Sequence, residues 1–194
     1  RLAFLGLRSF HLVNGAIFLF STFYLASGLR RLTQNRTPVS SVMKMLFLPL
    51  SLYLLSSEMS SAGNDMPVTL IVWATLTLWV EHLESDEKSE TRKLVIFLLA
   101  VFAVTVKLSS LPLMFLAVFI LLEHAAKKDW RSVLILAVAG GLILLPWSIR
   151  SVFLSGYPVF PQLQLDVFPV DWKMPADQVR LAIDGVVGLA RIGN

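Results

Sequence analysis

The chain alternates between long apolar stretches and short polar connections over most of its length. The apolar stretches are continuous rather than alternating with polar residues, which is typical of helices that are apolar on every side. A hydrocarbon core about 30 Å thick needs roughly 20 apolar residues per helix, and in lipid the backbone must satisfy its own hydrogen bonds. The pattern therefore predicts an all-α fold, a polytopic transmembrane helix bundle. The stretches are 12–29, 42–55, 67–80, 94–106, 111–122 and 132–149.

The composition supports this class of protein. Apolar residues make up 56% of the chain and charged residues 15%, whereas an average soluble domain carries about 25% charged residues. The net charge of +4 does not indicate a nucleic-acid partner, because no basic face interleaved with aromatic residues is present. Because the chain has no cysteine, it has no disulfide framework and no thiolate metal site. We expect it to be an internal piece of a longer protein of the cell membrane.

The distribution of Lys and Arg predicts the orientation. Nine of these residues fall in three connections, 30–36, 81–93 and 123–131, and such loops face the cytoplasm. Segments 1–9, 56–66, 107–112 and the tail from 151 are then predicted to face the other side. The short runs 94–106 and 111–122 form either a hairpin of two spans or one long span. The charge pattern favours the hairpin and six spans, and five spans are the alternative.

The tail after residue 150 has a different character. Four prolines and one glycine between residues 156 and 175 rule out a regular helix there, and aromatic residues in the same segment suit a membrane–water interface. Apolar residues at helical spacing from 176 to 191 predict a short amphipathic helix on the outer face. We therefore predict two parts: a transmembrane bundle over 1–150, and an extracytoplasmic Pro-rich loop with an interfacial helix over 151–194.

Polar residues near the outer ends of the apolar stretches are the candidates for chemistry. Asp65 precedes Pro67 at a helix start, where a carboxylate caps the helix; alternatively, Asp65 or the nearby Glu58 lines an outward cleft and binds a metal ion or a sugar hydroxyl. Lys107 either extends to the interface or binds a lipid phosphate. Arg150 either holds a helix end at the interface or binds phosphate in a bidentate manner.

The remaining polar residues predict no site of their own. Asp166, Asp171 and Lys173 in the tail are interpreted as a solvated surface. His82 and His124 are predicted to lie in cytoplasmic loops, and no spacing typical of metal ligands is present. Lys44, early in its apolar stretch, is expected to extend towards the cytoplasm.

Three segments together carry a resemblance to a known class of enzyme: AGNDMPVTLIVWATLTLW, VKLSSLPLMFLAVFILL and LLPWSIRSVFLSGYPVFP. In this order they resemble GT-C-type membrane glycosyltransferases of the dolichyl-phosphate-mannose–protein mannosyltransferase-like group. They resemble more closely an uncharacterised family of bacterial membrane proteins. The resemblance covers roughly residues 50–175. It implies transfer of a sugar from a polyprenyl-phosphate carrier to an acceptor outside a bacterial inner membrane.

The resemblance also implies roles for residues. The catalytic acid of such enzymes lies in the first outer loop, N-terminal to this chain. Asp65 would line the outer cleft, Lys107 and Arg150 would face the lipid phosphate, and a divalent metal is implied by resemblance only. The alternative is a transporter, a flippase or a non-catalytic assembly subunit of a cell-surface polysaccharide pathway. A transporter should show paired polar residues deep inside its spans, or broken helices that meet at the midplane.

Overall fold

A computed structural model describes residues 2–31, 38–55, 65–87 and 89–192. The described chain is all-α, as predicted, and contains no strand. Seven α-helices follow one another: α1 (Leu2–Arg31), α2 (Val39–Leu50), α3 (Asp65–Glu84), α4 (Glu90–Val106), α5 (Met114–Ala126), α6 (Trp130–Ser155) and α7 (Ala176–Ile192). A π-helical turn, Ser51–Leu55, extends α2, and 3₁₀ turns cover Leu108–Leu113 and Leu163–Leu165.

Every predicted apolar stretch lies on one of the first six helices or on the π-helical or 3₁₀ turn that adjoins it. The helices are not equally suited to crossing a membrane. Three are long and apolar enough to do so: Asp65–Glu84, Trp130–Ser155, and Leu108–Ala126, in which the 3₁₀ turn runs into α5. Of the shorter ones, α4 has 17 residues. Its first turn carries Glu90, Arg92 and Lys93, so its apolar part is shorter still. By length and composition the described chain thus supports three spans, and the six spans favoured by the charge pattern remain a proposal.

Local capping explains where several helices begin. Ser89 precedes α4, and its hydroxyl accepts a hydrogen bond from the Arg92 amide at 3.4 Å. Asp129 precedes α6 and accepts from the Ser132 amide at 3.2 Å. These contacts satisfy amide groups that a helix start leaves free. The hydroxyl and amide of Ser132 also hold the pKa of the Asp129 carboxylate below its ordinary value.

The helices α4 and α5 form the antiparallel hairpin that the charge pattern favours. Lys93 lies in the first turn of α4 and Glu123 near the end of α5, yet the Lys93 ammonium is 2.7 Å from the Glu123 carboxylate. The chain reverses at Lys107, whose backbone is extended (φ −154°, ψ 126°), and continues into the 3₁₀ turn. Pro112 inside that turn lacks an amide hydrogen, which suits it to a non-helical connection.

The chain divides into two compact units, residues 1–140 and 141–194, and the division falls inside α6. The core of the first unit consists of fully buried apolar side chains on α1, α3, α4 and α5, including Leu25, Leu70, Ile96 and Ile120. Many large apolar side chains lie on its surface instead; Phe20 is 77% and Phe115 80% exposed. An apolar surface of this extent is typical of contact with lipid or another protein.

The second unit contains the end of α6, the Pro-rich segment and α7. The segment 156–175 has no α-helix, as predicted. It is ordered by hydrogen bonds from the Tyr157 hydroxyl to the Met174 carbonyl at 3.2 Å and from the Met174 amide to the Ser155 carbonyl at 3.0 Å. Gly156 has φ +82° and a backbone so close to Lys173 that a Cβ would lie 2.9 Å from the Lys173 Cα. Only glycine adopts both features without strain.

Candidate functional site

The structure brings two of the three predicted site residues together. Asp65 is the first residue of α3 and Lys107 follows the last residue of α4, and the Lys107 ammonium forms an ion pair with the Asp65 carboxylate. The two residues are 42 positions apart in the sequence. They meet because α3 and α4 are antiparallel neighbours, so that the start of one lies beside the end of the other. We call this the Lys107 end of the first unit.

Lys107 is held by backbone hydrogen bonds in addition to its ion pair with Asp65. Its amide donates to the Ala103 carbonyl at 3.0 Å, and its own carbonyl accepts from the Ser110 amide at 3.0 Å. The Ser110 hydroxyl donates to the same carbonyl at 2.8 Å. The backbone position is therefore fixed on both sides, and from it the side chain reaches the Asp65 carboxylate.

The Asp65–Lys107 pair is open to solvent. The Asp65 side chain is 76% exposed and that of Lys107 42%. Exposed ion pairs contribute about 0–1 kcal/mol to stability, so the fold does not depend on this one. Asp65 also places a negative charge in the first turn of α3, where the helix dipole favours it. What the pair offers is a carboxylate and an ammonium, side by side and accessible to a ligand.

The other residues considered in the sequence analysis are distributed differently. Arg150 lies on α6 in the second unit, and its side chain is exposed. Glu58 lies outside the described residues. In the tail, Lys173 forms an ion pair with Asp166 and lies 5.6 Å from the centroid of the Tyr157 ring. The tail cluster that the sequence analysis interpreted as a solvated surface is thus partly organised by charge pairing.

The opposite end of the first unit holds a buried charged group that the sequence analysis missed. We call it the basic end, since Lys93, Lys127 and the start of α6 lie there. Lys44 is 3% exposed and its ammonium lies 2.6 Å from the Glu81 carboxylate, which is 9% exposed. The same ammonium donates to the Ser27 hydroxyl at 3.0 Å and lies 3.8 Å from the Tyr24 ring centroid. Lys44 was expected to extend towards the cytoplasm, and the structure adds that a carboxylate on α3 holds its ammonium inside the bundle.

Glu84 ties α3 to the start of α2. Its carboxylate accepts hydrogen bonds from the Val39 amide and from the Ser40 hydroxyl at 2.6 Å. The carboxylate thereby satisfies the free amides at the beginning of α2 from another helix. Together with Lys44 and Glu81, this contact binds α1, α2 and α3 at one level of the basic end.

A second group of charges connects α4, α5 and the start of α6. The Glu123 carboxylate lies 2.7 Å from the Lys93 ammonium and 2.6 Å from the Lys127 ammonium. The two ring nitrogens of His124 lie 3.3 Å from carboxylate oxygens of Glu90 and Asp129. His82 and His124 were predicted in loops, but α3 and α5 extend far enough to include them, and they are 4% and 5% exposed.

This network escaped the sequence analysis because apolar stretches were read as the limits of the helices. The helices α3 and α5 continue for one turn beyond their last apolar run, so charged residues that seemed to belong to loops face neighbouring helices. The signals were present. Ser89 marks the start of α4, and Glu81 lies four residues after Thr77 on the same helical face. The partners themselves could not be predicted, because they lie on different helices.

A metal centre was implied by resemblance alone. Among the described residues, no group of three or more His, Cys, Asp or Glu side chains is arranged to hold a metal ion. At the Lys107 end, Asp65 is the single described carboxylate brought to Lys107, and an ammonium beside it disfavours a cation. The described residues therefore do not fit a metal at this site.

The comparison with known families places the chain in one of them. The model of a family described as "Domain of unknown function (DUF8201)" matches residues 1–192. The chain belongs to this family. No curated protein and no solved structure matches the chain.

Proposed function

We propose that the chain is part of a six-span membrane protein that binds a polyprenyl-phosphate-linked sugar at the Lys107 end, outside the cytoplasm, and takes part in transferring the sugar to an acceptor. The observation that carries the proposal is the exposed Asp65–Lys107 pair. The resemblance of the surrounding segments to GT-C-type glycosyltransferases supports the class of reaction. The choice of a polyprenyl-phosphate-linked sugar as the donor rests on this resemblance and not on the fold, because a fold alone does not specify a function.

The topology of the proposal rests on where the charges lie. The helix α3 has 20 residues and is about 30 Å long, which is the thickness of a hydrocarbon core. One end of α3 lies at the basic end, which contains Lys93, Lys127 and Arg131. The other end of α3 lies beside Lys107. Basic residues favour the cytoplasmic side, so the Asp65–Lys107 pair would face outwards at the level of lipid headgroups.

The two side chains have complementary tasks in such a reaction. In the transfer, the bond between the sugar carbon and the phosphate oxygen breaks, and a bond from the acceptor oxygen to the same carbon forms. The Lys107 ammonium would stabilise the negative charge that collects on the departing lipid phosphate. The Asp65 carboxylate would accept a hydrogen bond from a sugar or acceptor hydroxyl and so orient it. The acceptor's proton would go to the general base that the resemblance assigns to an earlier loop.

Transport is the second candidate, because the structure has a buried charge pair. Ionisable residues inside a bundle of apolar helices mark transport pathways in many membrane proteins, and Lys44 and Glu81 are such a pair. A transporter binds its substrate near the midplane, about 15 Å from either surface. Glu81 is three residues from the end of α3, or about 4.5 Å along the axis. This depth suits an ion pair that joins the ends of neighbouring helices better than a substrate site. We therefore prefer sugar transfer to transport as the proposed function.

The proposal can be tested in the full-length protein by binding of a polyprenyl phosphate and by sugar transfer. Lys107→Met keeps the apolar stem and removes the charge. Loss of a charge-assisted contact costs about 1.5–3 kcal/mol, roughly ten- to a hundred-fold in affinity. Asp65→Asn should lower transfer more than binding. Arg131→Met, which removes an exposed cation at the basic end, is the matched control and should change neither.

A charge exchange separates a functional pair from a structural one. In the double variant Asp65→Lys with Lys107→Asp, the ion pair is kept but its poles are exchanged. If the pair only joins α3 to α4, the exchange should restore what each single variant loses. If the pair binds substrate, activity should stay low, because the phosphate would meet a carboxylate. Full activity in the exchanged variant would therefore refute the proposal.

Arg150 needs an experiment of its own, because it belongs to the second unit. We propose from the resemblance that it binds phosphate. Arg150→Lys should then weaken polyprenyl-phosphate binding, because an ammonium cannot reproduce the two parallel hydrogen bonds of a guanidinium. Unchanged binding would show that Arg150 only holds the end of α6 at the interface.

A further inference from the structure

Two cavities lie along the groove between α3 and α5, and they share a wall. One, of about 410 Å³, is lined by apolar residues that include Leu76 and Leu116. The other, of about 290 Å³, is lined by Lys93, Glu123 and other polar residues of the basic end. Trp79 and Phe119 line both cavities. Their rings meet edge to face with centroids 5.7 Å apart. We call the two cavities together the α3–α5 groove.

The groove changes character along its length. On one side of the aromatic pair, Leu76, Phe115 and Leu116 give it an apolar wall that extends to Pro112, near the Lys107 end. Phe115 lines this half and is 80% exposed. An apolar channel of this kind, on a helix surface that is itself apolar, suits a hydrocarbon chain.

The half beyond the aromatic pair is polar and electrically balanced. Its wall contains two ammonium groups, Lys93 and Lys127, and two carboxylates, Glu90 and Glu123. Lys127 and Glu90 are 58% and 63% exposed, so one group of each sign can turn towards a ligand. The Lys127 ammonium also lies 2.6 Å from Glu123 and the Glu90 carboxylate 3.3 Å from Lys93, while Lys93 and Glu123 lie 2.7 Å apart. Such a wall presents separate positive and negative poles and no net charge.

We propose that the α3–α5 groove holds one phospholipid with a zwitterionic headgroup, taken from the leaflet at the basic end. Its phosphate would lie against Lys127 and its ammonium against Glu90, and one acyl chain would pass Trp79 and Phe119 into the apolar half. An anionic lipid fits less well, because its charge would meet the two carboxylates without a cation of its own. The proposal does not depend on sugar transfer, since the groove's polar half and the Asp65–Lys107 pair lie at opposite ends of α3.

The test is retention of lipid by the full-length protein after extraction in mild detergent. The protein is equilibrated with equal amounts of phosphatidylethanolamine and phosphatidylglycerol of identical chains, and the bound lipids are counted by native mass spectrometry. We expect one lipid per chain, with phosphatidylethanolamine retained at least about fivefold over phosphatidylglycerol. Equal retention of the two, or a preference for phosphatidylglycerol, would overturn the proposal, since a merely apolar surface binds both alike.

Two variants locate the site. Leu116→Trp fills the apolar half, and it should abolish retention, whereas Phe102→Trp, on an exposed position of α4 that lines neither cavity, should not. Lys127→Met removes the exposed ammonium and should lower phosphatidylethanolamine retention roughly tenfold, as expected for loss of one charge-assisted contact. Because Lys127 is mostly exposed, this variant tests the site even if the Trp variant does not fold. Unchanged retention in Lys127→Met would refute the headgroup assignment.

Discussion

Glu81→Gln should destabilise the protein more than any other single amide substitution at the basic end. The Glu81 carboxylate lies 2.6 Å from the Lys44 ammonium, and the two side chains are 9% and 3% exposed. In the variant, Lys44 keeps its contacts with the Ser27 hydroxyl and the Tyr24 ring, but it faces an uncharged amide at position 81. The ammonium is then held in a poorly solvated place with less compensation for its lost hydration.

The magnitude follows from these contacts. Removing one partner of a buried pair costs about 3–5 kcal/mol. We expect a value of about 3 kcal/mol, because the hydroxyl and the ring still stabilise the ammonium and the pair lies only about one helical turn from the end of α3. In a domain of 150–250 residues each kcal/mol lowers Tm by about 2–4 °C, so the expected decrease is about 6–12 °C.

The assay is thermal unfolding of the purified protein in detergent, followed by circular dichroism. Glu87→Gln is the matched control, because Glu87 is exposed and the same chemical change there should alter Tm by less than about 2 °C. The double variant Lys44→Met with Glu81→Leu should recover most of the loss, since apolar replacements of a buried pair are often neutral or stabilising. If Glu81→Gln matches its control, or if the double variant is no better than the single one, the pair is not a structural brace.

Three further predictions address other parts of the chain. Gly28→Ala should destabilise the protein, because the new Cβ would lie 2.8 Å from a side-chain carbon of α2. Gly141→Ala, where the new Cβ would have no neighbour within 4 Å, should be neutral or slightly stabilising. Equal Tm values for the two variants would contradict the close approach of α1 and α2. Because the folded pKa of Asp129 is lowered, its contribution to stability should be present above the ordinary pKa of an aspartate, about 3.9, and be lost as pH falls through the lower folded value. Asp129→Ala should abolish that part of the pH dependence in denaturation curves, and an unchanged profile would refute it. A single cysteine at Ala126 should react with an impermeant reagent only after permeabilisation and one at Gln162 in intact cells; the reverse pattern would invert the proposed topology.

Much of the fold could be predicted from the pattern of apolar residues. The all-α class, the position of each of the first six helices and the helix α7 all follow from the length of the apolar runs, the prolines and the spacing after Pro175. These are local features, because helix formation depends on neighbouring residues and on the capping of each end. The hairpin of α4 and α5 was favoured over one long span for a different reason, since the basic residues on both sides are expected to lie on the same surface.

The charged network could not be predicted in the same way. Glu81, Glu84 and Glu123 were assigned to cytoplasmic connections because apolar character ends before them, although a helix does not stop where its apolar run stops. Whether a charge there is solvated or buried depends on the neighbouring helix, and Lys44, whose ammonium lies 2.6 Å from the Glu81 carboxylate, is 37 positions earlier in the chain. Asp65 and Lys107 were each identified as candidates, but only the antiparallel arrangement of α3 and α4 makes them a pair.

The two ends of the first unit differ in how their charged side chains are held. At the basic end Lys44, Glu81 and Lys93 are buried. Lys44 is bound by groups on two other helices and Lys93 by carboxylates on two helices, so a change of one partner is costly. At the Lys107 end the one charge pair brought together among the described residues is exposed and contributes little to stability. A ligand that displaces Asp65 from Lys107 therefore gives up less than about 1 kcal/mol of protein interaction, whereas a ligand that separated Lys44 from Glu81 would give up several. This difference in energetic cost is why we propose substrate binding at the Lys107 end and a supporting role for the basic end.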